Sequence, residues 1–202
     1  TLDAHLVAID KTNGRPLWKT KVADAAQAYS ITLAPLVIKD KVVLGVGGGE
    51  YGIRGFVAAY DAETGKQAWR FYTIPGPGEP GHETWEACPP NSTTYCDPEA
   101  WKHGGGAVWL TGAYDPELNL TYWGVGNPGP DYFREQRPGD NLYTCSVVAL
   151  DADTGETLPG ASLEDCNPIG TDELQGKSAW KGDPELLSDK PVRLKFEFSN
   201  AK

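Results

Sequence analysis

A short pattern that returns along the chain constrains its fold more than any other feature. Ala8, Asp10, Gly14 and Trp18 recur in order as Ala59, Asp61, Gly65 and Trp69, and the pattern begins again at Ala149, Asp151 and Gly155, with Pro159 where the tryptophan should stand. Each copy reads as a strand ending in Ala-x-Asp, a tight turn, and a second strand carrying the Trp. The Asp accepts hydrogen bonds from turn amides, the Gly takes a positive φ at little cost, and the Trp reaches a neighbouring sheet. The run Lys41 to Val46 between the first two copies reads as a buried strand, so the unit is a blade of about four strands. The third copy follows at a longer interval. An insertion lies before it, assigned to the turn-rich segment Pro75 to Pro80 and the loop from Cys88 to Cys96.

Composition agrees with an all-β chain. Twenty-four Gly and sixteen Pro among 202 residues, with seven Trp and nine Tyr, favour many turns and few short helices. A net charge of -10 argues against a nucleic-acid partner, which would call for a clustered basic face. No apolar run is long enough for a transmembrane helix, and no leader-like stretch opens the chain. The chain contains no Met and begins at Thr1, which reads as a processed chain or a fragment, any export signal having been removed. The four Cys and three His show no zinc spacing, and no Cys-x-x-Cys-His is present for covalent haem attachment. Cys88 and Cys96 bracket a polar loop and form a disulfide in an oxidising compartment; two unrelated thiols are the other reading. The sequons at Asn91 and Asn119 signify little outside a secreted eukaryotic protein.

The repeat resembles the tryptophan-docking motif of eight-bladed quinoprotein alcohol dehydrogenases. Six further blocks carry the resemblance: Gly47 to Gly55, Pro75 to Gly81, Trp101 to Gly106, Tyr114 to Asn119, Gly124 to Pro130, and Arg137 to Asn141. It implies a partial β-propeller of about three blades over residues 1–156, with residues 157–202 as a β-rich tail of other origin. The tail resembles a β-sandwich segment of bacterial carbohydrate-active proteins. Val192, Leu194, Phe196 and Phe198 alternate there with charged residues, as in a half-buried strand.

The resemblance also implies chemistry: oxidation of a primary alcohol to an aldehyde on pyrroloquinoline quinone beside calcium, with electrons passed to cytochrome c in the periplasm or another exported location. Calcium takes hard oxygen ligands, and the family's Glu and Asn ligands match Glu50 and Asn127. The quinone would meet Gly47, Gly48 and Gly49 through closely approaching backbone, Thr32 through its hydroxyl, and the flat face of Trp109. Read without the family, Glu50 is a solvated loop carboxylate, Asn127 a turn former before Pro128, Thr32 an ordinary strand residue, and the glycine run a loose turn. Trp18 and Trp69 belong to blade docking and are expected to be buried between neighbouring sheets.

Other family parts find no match. The adjacent Cys pair over the quinone's second face, with an Arg and a Glu that bind the cofactor, should lie before Thr1. The catalytic Asp should lie beyond the matching region. Asp165 and Asp172 fall near its place by length but in no matching motif, so neither takes the role, and the chain is expected to be incomplete for catalysis. Two other readings compete: a non-catalytic propeller scaffold for protein binding, which has no need of Glu50, Asn127 and Trp109 together, and a carbohydrate-binding accessory resting on the tail.

Overall fold

The computed structural model describes residues 1–90 and 95–157, with the backbone of 166–167 and 179–180. Its architecture grows from the repeated turn. Asp10 Oδ1 accepts from the Thr12 amide (2.8 Å) and hydroxyl (2.6 Å), and Asp61 Oδ1 accepts from the Thr64 amide (2.7 Å) and hydroxyl (2.6 Å). In the third copy Asp151 Oδ1 accepts from the amides of Asp153 and Thr154, both at 2.9 Å. Gly14, Gly65 and Gly155 stand at φ of 73°, 70° and 74°, and each donates its amide to the carbonyl of the Asp that opens its turn.

Strands extend from these turns. β1 (His5–Ile9) pairs with β2 (Pro16–Lys21). β3 (Leu36–Ile38), β4 (Lys41–Gly45), β5 (Phe56–Asp61) and β6 (Gln67–Tyr72) form one four-stranded antiparallel sheet in sequence order. β7 (Ala113–Asp115), β8 (Leu120–Gly124) and β9 (Val147–Asp151) form a three-stranded sheet. The expectation of four strands per blade is therefore met among the described residues only by β3 to β6. By the position of the turn, β1 and β2 correspond to the last two strands of a blade and β7 to β9 to the first three. Pro159, Asn91, Asp165, Asp172 and the alternating run Val192 to Phe198 lie outside the described residues. Among the described residues the tail contributes one short antiparallel pair, β10 (Cys166–Asn167) with β11 (Ala179–Trp180).

The tryptophans tie each sheet to the next turn. Trp18 Nε1 donates to the Ala62 carbonyl (3.0 Å), and its ring occupies the space in which a Cβ on Gly65 would lie 2.6 Å away. Trp69 repeats this one blade on, donating to the Ala152 carbonyl (3.1 Å) and covering Gly155, whose Cβ would lie 2.5 Å from the ring. The turn glycine thus serves twice, for its positive φ and for the room it leaves. The two rings are not equally enclosed, contrary to the expectation that both lie fully between sheets: Trp69 is buried, whereas Trp18 is half-buried on a strand whose Pro16 and Leu17 are exposed. β5 is the best-covered strand, buried from Phe56 to Tyr60, and shares one apolar cluster with Leu6 of β1 and with Val148 and Leu150 of β9.

The turn aspartates set an acid limit. The Thr12 and Thr64 hydroxyls, then the amides of the same residues, hold the carboxyls of Asp10 and Asp61 below the usual range. A lowered folded pKa contributes stability that is present above the unfolded value, about 3.9, and is lost as pH falls through the lowered one. Stability should stay level from pH 7 to about 5 and then decline, and Thr64→Val should make the decline shallower in urea titrations at stepped pH. An unchanged acid limb in Thr64→Val would exclude this origin.

Candidate functional site

In an antiparallel sheet of four strands, the entry to the first strand, the link from second to third and the exit of the fourth meet at one end. The connections rich in glycine and aromatic residues all belong to that end. They are Val46–Gly55 between β4 and β5, Thr73–Gly112 before β7, and Val125–Ser146 between β8 and β9. The extra chain before the third repeat is therefore divided between two connections. The sequence reading placed all of it in the first, which does contain Pro75 to Pro80 and the Cys88–Cys96 disulfide, with Cα atoms 5.7 Å apart.

Residues Gly104 to Val108 run between the other two loops and join them backbone to backbone. On one side Gly105 donates to Ile53 (2.9 Å), Gly55 donates to Gly105 (2.9 Å) and Val108 donates to Val46 (2.8 Å). On the other, Gly106 donates to Asn127 (3.1 Å), Gly126 to Ala107 (2.9 Å) and Gly129 to Gly104 (2.8 Å). Such contact leaves no room for side chains: a Cβ on Gly55 would lie 2.1 Å from the Gly106 carbonyl oxygen. This joint carries the loop of Glu50 to the loop of Asn127, and a Cβ on Gly129 would come within 3.4 Å of the Gly49 oxygen.

Glu50 lies in a single 3-10 turn, Gly49–Tyr51, and its exposed carboxylate makes no hydrogen bond or ion pair among the described residues. Asn127 is also exposed. Its amide nitrogen donates to Asp131 Oδ1 (2.7 Å) and to the Pro128 carbonyl (3.3 Å), so its side-chain oxygen remains as an acceptor. These are two hard oxygen donors on adjoining loops, which suits a calcium or lanthanide ion. No three His, Cys, Asp or Glu converge into a metal-binding group among the described residues, so further ligands would come from elsewhere, including the cofactor.

Trp109, Thr32 and the glycine run stand together beside them. Trp109 is 45% exposed; its ring lies against Gly126, where a Cβ would approach to 2.4 Å, and the Thr32 hydroxyl donates to its carbonyl (3.4 Å). Gly47 faces the Ser30 and Thr32 hydroxyls, at 3.0 and 3.7 Å from a Cβ placed on it. The Gly47 amide is already given to the Ser30 carbonyl (2.8 Å), and Gly47 is buried against the Ser30 and Thr32 hydroxyls, so it holds the shape of the loop. Gly48, at φ 110°, opens the Glu50 turn. The set comprises a half-open indole, a hydroxyl on its carbonyl and a glycine run packed closely against Ser30, Ala28 and Ala107.

Two supports escaped the sequence reading. Asp131 orients the Asn127 amide, a link visible only as an Asn and an Asp across the turn Pro128 to Pro130. Arg137, buried, donates to Asn141 Oδ1 (2.8 Å) and the Pro130 carbonyl (3.3 Å) and so braces the same loop. Burial lowers its pKa, yet a guanidinium stays charged at neutral pH.

Residues 1–158 match the family described as PQQ, glucose/ethanol/alcohol dehydrogenase, beta-propeller domain. The chain belongs to this quinoprotein family. A quinohemoprotein alcohol dehydrogenase, ADH IIB, of Pseudomonas putida is 51% identical over 160 residues, covering 77% of the chain and 23% of the relative. Subunit 1 of a methanol dehydrogenase [cytochrome c] of Methylobacterium organophilum is 40% identical over 178 residues, covering 79% and 26%. The solved structure of a europium-containing methanol dehydrogenase superposes with a TM-score of 0.66 at 43% identity, covering 78% of the chain and 28% of that structure. The chain thus spans about a quarter of the length of these quinoproteins. It is an all-β partial propeller, and the family match stops where the repeat gives way. Among the described residues no helix is long and apolar enough to cross a membrane.

Proposed function

We propose that the chain forms part of a quinone-dependent alcohol dehydrogenase that oxidises primary alcohols to aldehydes, passes electrons to cytochrome c and works in the periplasm. In this reading Thr32, Gly47, Gly48, Gly49 and Trp109 hold pyrroloquinoline quinone, and Glu50 and Asn127 hold calcium or a lanthanide beside it. Bound there, the quinone supplies a two-electron acceptor and the ion a Lewis acid. The chain's own residues bind and orient: the indole offers a stacking face, the Thr32 hydroxyl and the glycine run meet the cofactor's rim, and Glu50 and Asn127 fix the ion. The catalytic base is not assigned to any residue of this chain.

The observation that carries the reading is the half-open Trp109 ring, backed by Gly126 and tied at its carbonyl to the Thr32 hydroxyl, directly after the segment that joins the Glu50 and Asn127 loops. A scaffold that binds only protein has no use for hard oxygen donors beside such a ring. The test is equilibrium binding of pyrroloquinoline quinone to the 202-residue chain, with calcium and with a chelator. Stacking on an aromatic side chain is worth about 1–3 kcal/mol for a base-sized ring, so Trp109→Ala should weaken binding roughly tenfold or more. Quinone binding that ignores both calcium and Trp109→Ala would sink the reading.

A further inference from the structure

A second candidate site shares none of the residues that hold the quinone in that reading. It is a cavity of about 310 Å³ where the link from β2 to β3 crosses β5 and β6. Three rings line it, Tyr29, Phe56 and Tyr72, with the Phe56 centroid 5.9 Å from that of Tyr29 in a tilted pair and 6.1 Å from that of Tyr72 in an edge-on pair. Two guanidiniums stand on those rings: Arg70 lies 3.9 Å from the Phe56 centroid and Arg54 lies 3.7 Å from that of Tyr72. Lys102 and Asp24 complete the charged lining.

The cations differ in how their charge is met. Arg54 is paired with Glu79 (2.5 Å) and Lys102 with Glu99. Arg70 has no carboxylate partner among the described residues. One of its terminal nitrogens donates to the Val22 carbonyl (3.0 Å), while its buried Nε makes no hydrogen bond of good geometry and its charge acts on the neighbouring buried Tyr60 hydroxyl. A half-buried guanidinium with no carboxylate partner, in a chain of net charge -10, keeps its capacity for an anion. Its stacking on Phe56 fixes its plane, which suits the two oxygens of one carboxylate.

We propose that this cavity binds a small organic carboxylate with a flat apolar body, its carboxylate on Arg70 and its body against Tyr29 and Tyr72. The rings separate this from a general anion site, because phosphate or acetate can meet the charge but leaves the aromatic walls uncovered.

The experiment follows the arginine Nε–H signals of the 202-residue chain by nitrogen-15 NMR during titration with benzoate, acetate and inorganic phosphate at one ionic strength. Benzoate should shift the Arg70 signal saturably, with a half-saturation at least tenfold below those of the other two. Arg70→Met keeps the stem and removes the charge; it should weaken benzoate binding, followed on the cavity amides, by about tenfold or more, the worth of a charge-assisted hydrogen bond. Asp24→Asn keeps the turn cap on the Ala26 amide and removes the cavity's own carboxylate, so it should tighten benzoate severalfold, an arm that stands even if Arg70→Met does not fold. Equal responses to all three anions, benzoate affinity unchanged in Arg70→Met, or affinity unchanged or weakened in Asp24→Asn would each overturn the proposal. None of these outcomes depends on quinone binding.

Discussion

Trp69→Ala is expected to destabilise the chain by about 3–5 kcal/mol, the range for deleting a buried aromatic side chain. Trp69 is 7% exposed and joins two sheets: it belongs to β6 and covers Gly155 at the turn after β9. Removing the ring opens a cavity between them and leaves the Ala152 carbonyl without its donor. Trp18→Ala removes the same contact one blade earlier from a half-buried position, so about half that loss is expected. Urea unfolding of both variants decides the matter. Since whole domains have only about 5–15 kcal/mol of stability, Trp69→Ala should lie near the edge of folding. Equal midpoints for the two variants would show that the rings are not graded by enclosure. A Trp69→Ala midpoint equal to that of the parent chain would show that they do not dock the blades at all.

The same contrast shows what the sequence discloses. The turn is legible because its chemistry is local: Asp10 with Thr12, and Asp61 with Thr64, meet within a few residues, and the glycine φ follows from the turn type. The docking partner of each Trp is legible only in kind, since a ring's need for a neighbour does not say that the neighbour is the glycine of the following copy. β3 and β7 are short and carry no strong alternation. They exist because β4 and β8 offer them an edge to pair with, a long-range cause that leaves little trace in their own residues. The division of the inserted chain between two connections is hidden for a similar reason: β8, at Leu120–Gly124, interrupts it without any copy of the repeat.

At the proposed site, ordered motifs single out Glu50, Asn127 and Trp109, whereas the device that brings their loops together leaves no such mark. Gly104 to Val108 joins those loops through backbone hydrogen bonds, and the glycines show only that side chains are missing, not what fills the space. Asp131 was missed because a carboxylate on a solvated loop looks the same whether or not it holds an asparagine. The Arg70 cavity escaped entirely, since Phe56, Arg70 and Tyr72 meet across a sheet and Tyr29 arrives from the preceding link.

Glu50→Gln should separate the metal from the fold. The carboxylate is exposed and makes no hydrogen bond or ion pair among the described residues, so its replacement should leave unfolding within about 0.5 kcal/mol of the parent chain. In the proposed site, affinity for the ion should change much more, because a neutral amide oxygen would replace the one charged donor of the two, Asn127 being already neutral. A contact to a charged group contributes about 1.5–3 kcal/mol, so calcium affinity in the presence of the quinone should fall roughly tenfold to a hundredfold. The fall should be larger for europium(III), since the lost attraction scales with the charge of the ion. Asp131→Ala probes the same site from behind: it removes the acceptor that orients the Asn127 amide and should cost less than Glu50→Gln for either ion. Calorimetric titration of the three chains with each ion, quinone present, gives the order. If Glu50→Gln binds both ions as tightly as the parent chain, Glu50 is a solvated loop carboxylate and the metal site is not here. If it weakens both equally, the ligand acts through the shape of its loop and not through its charge.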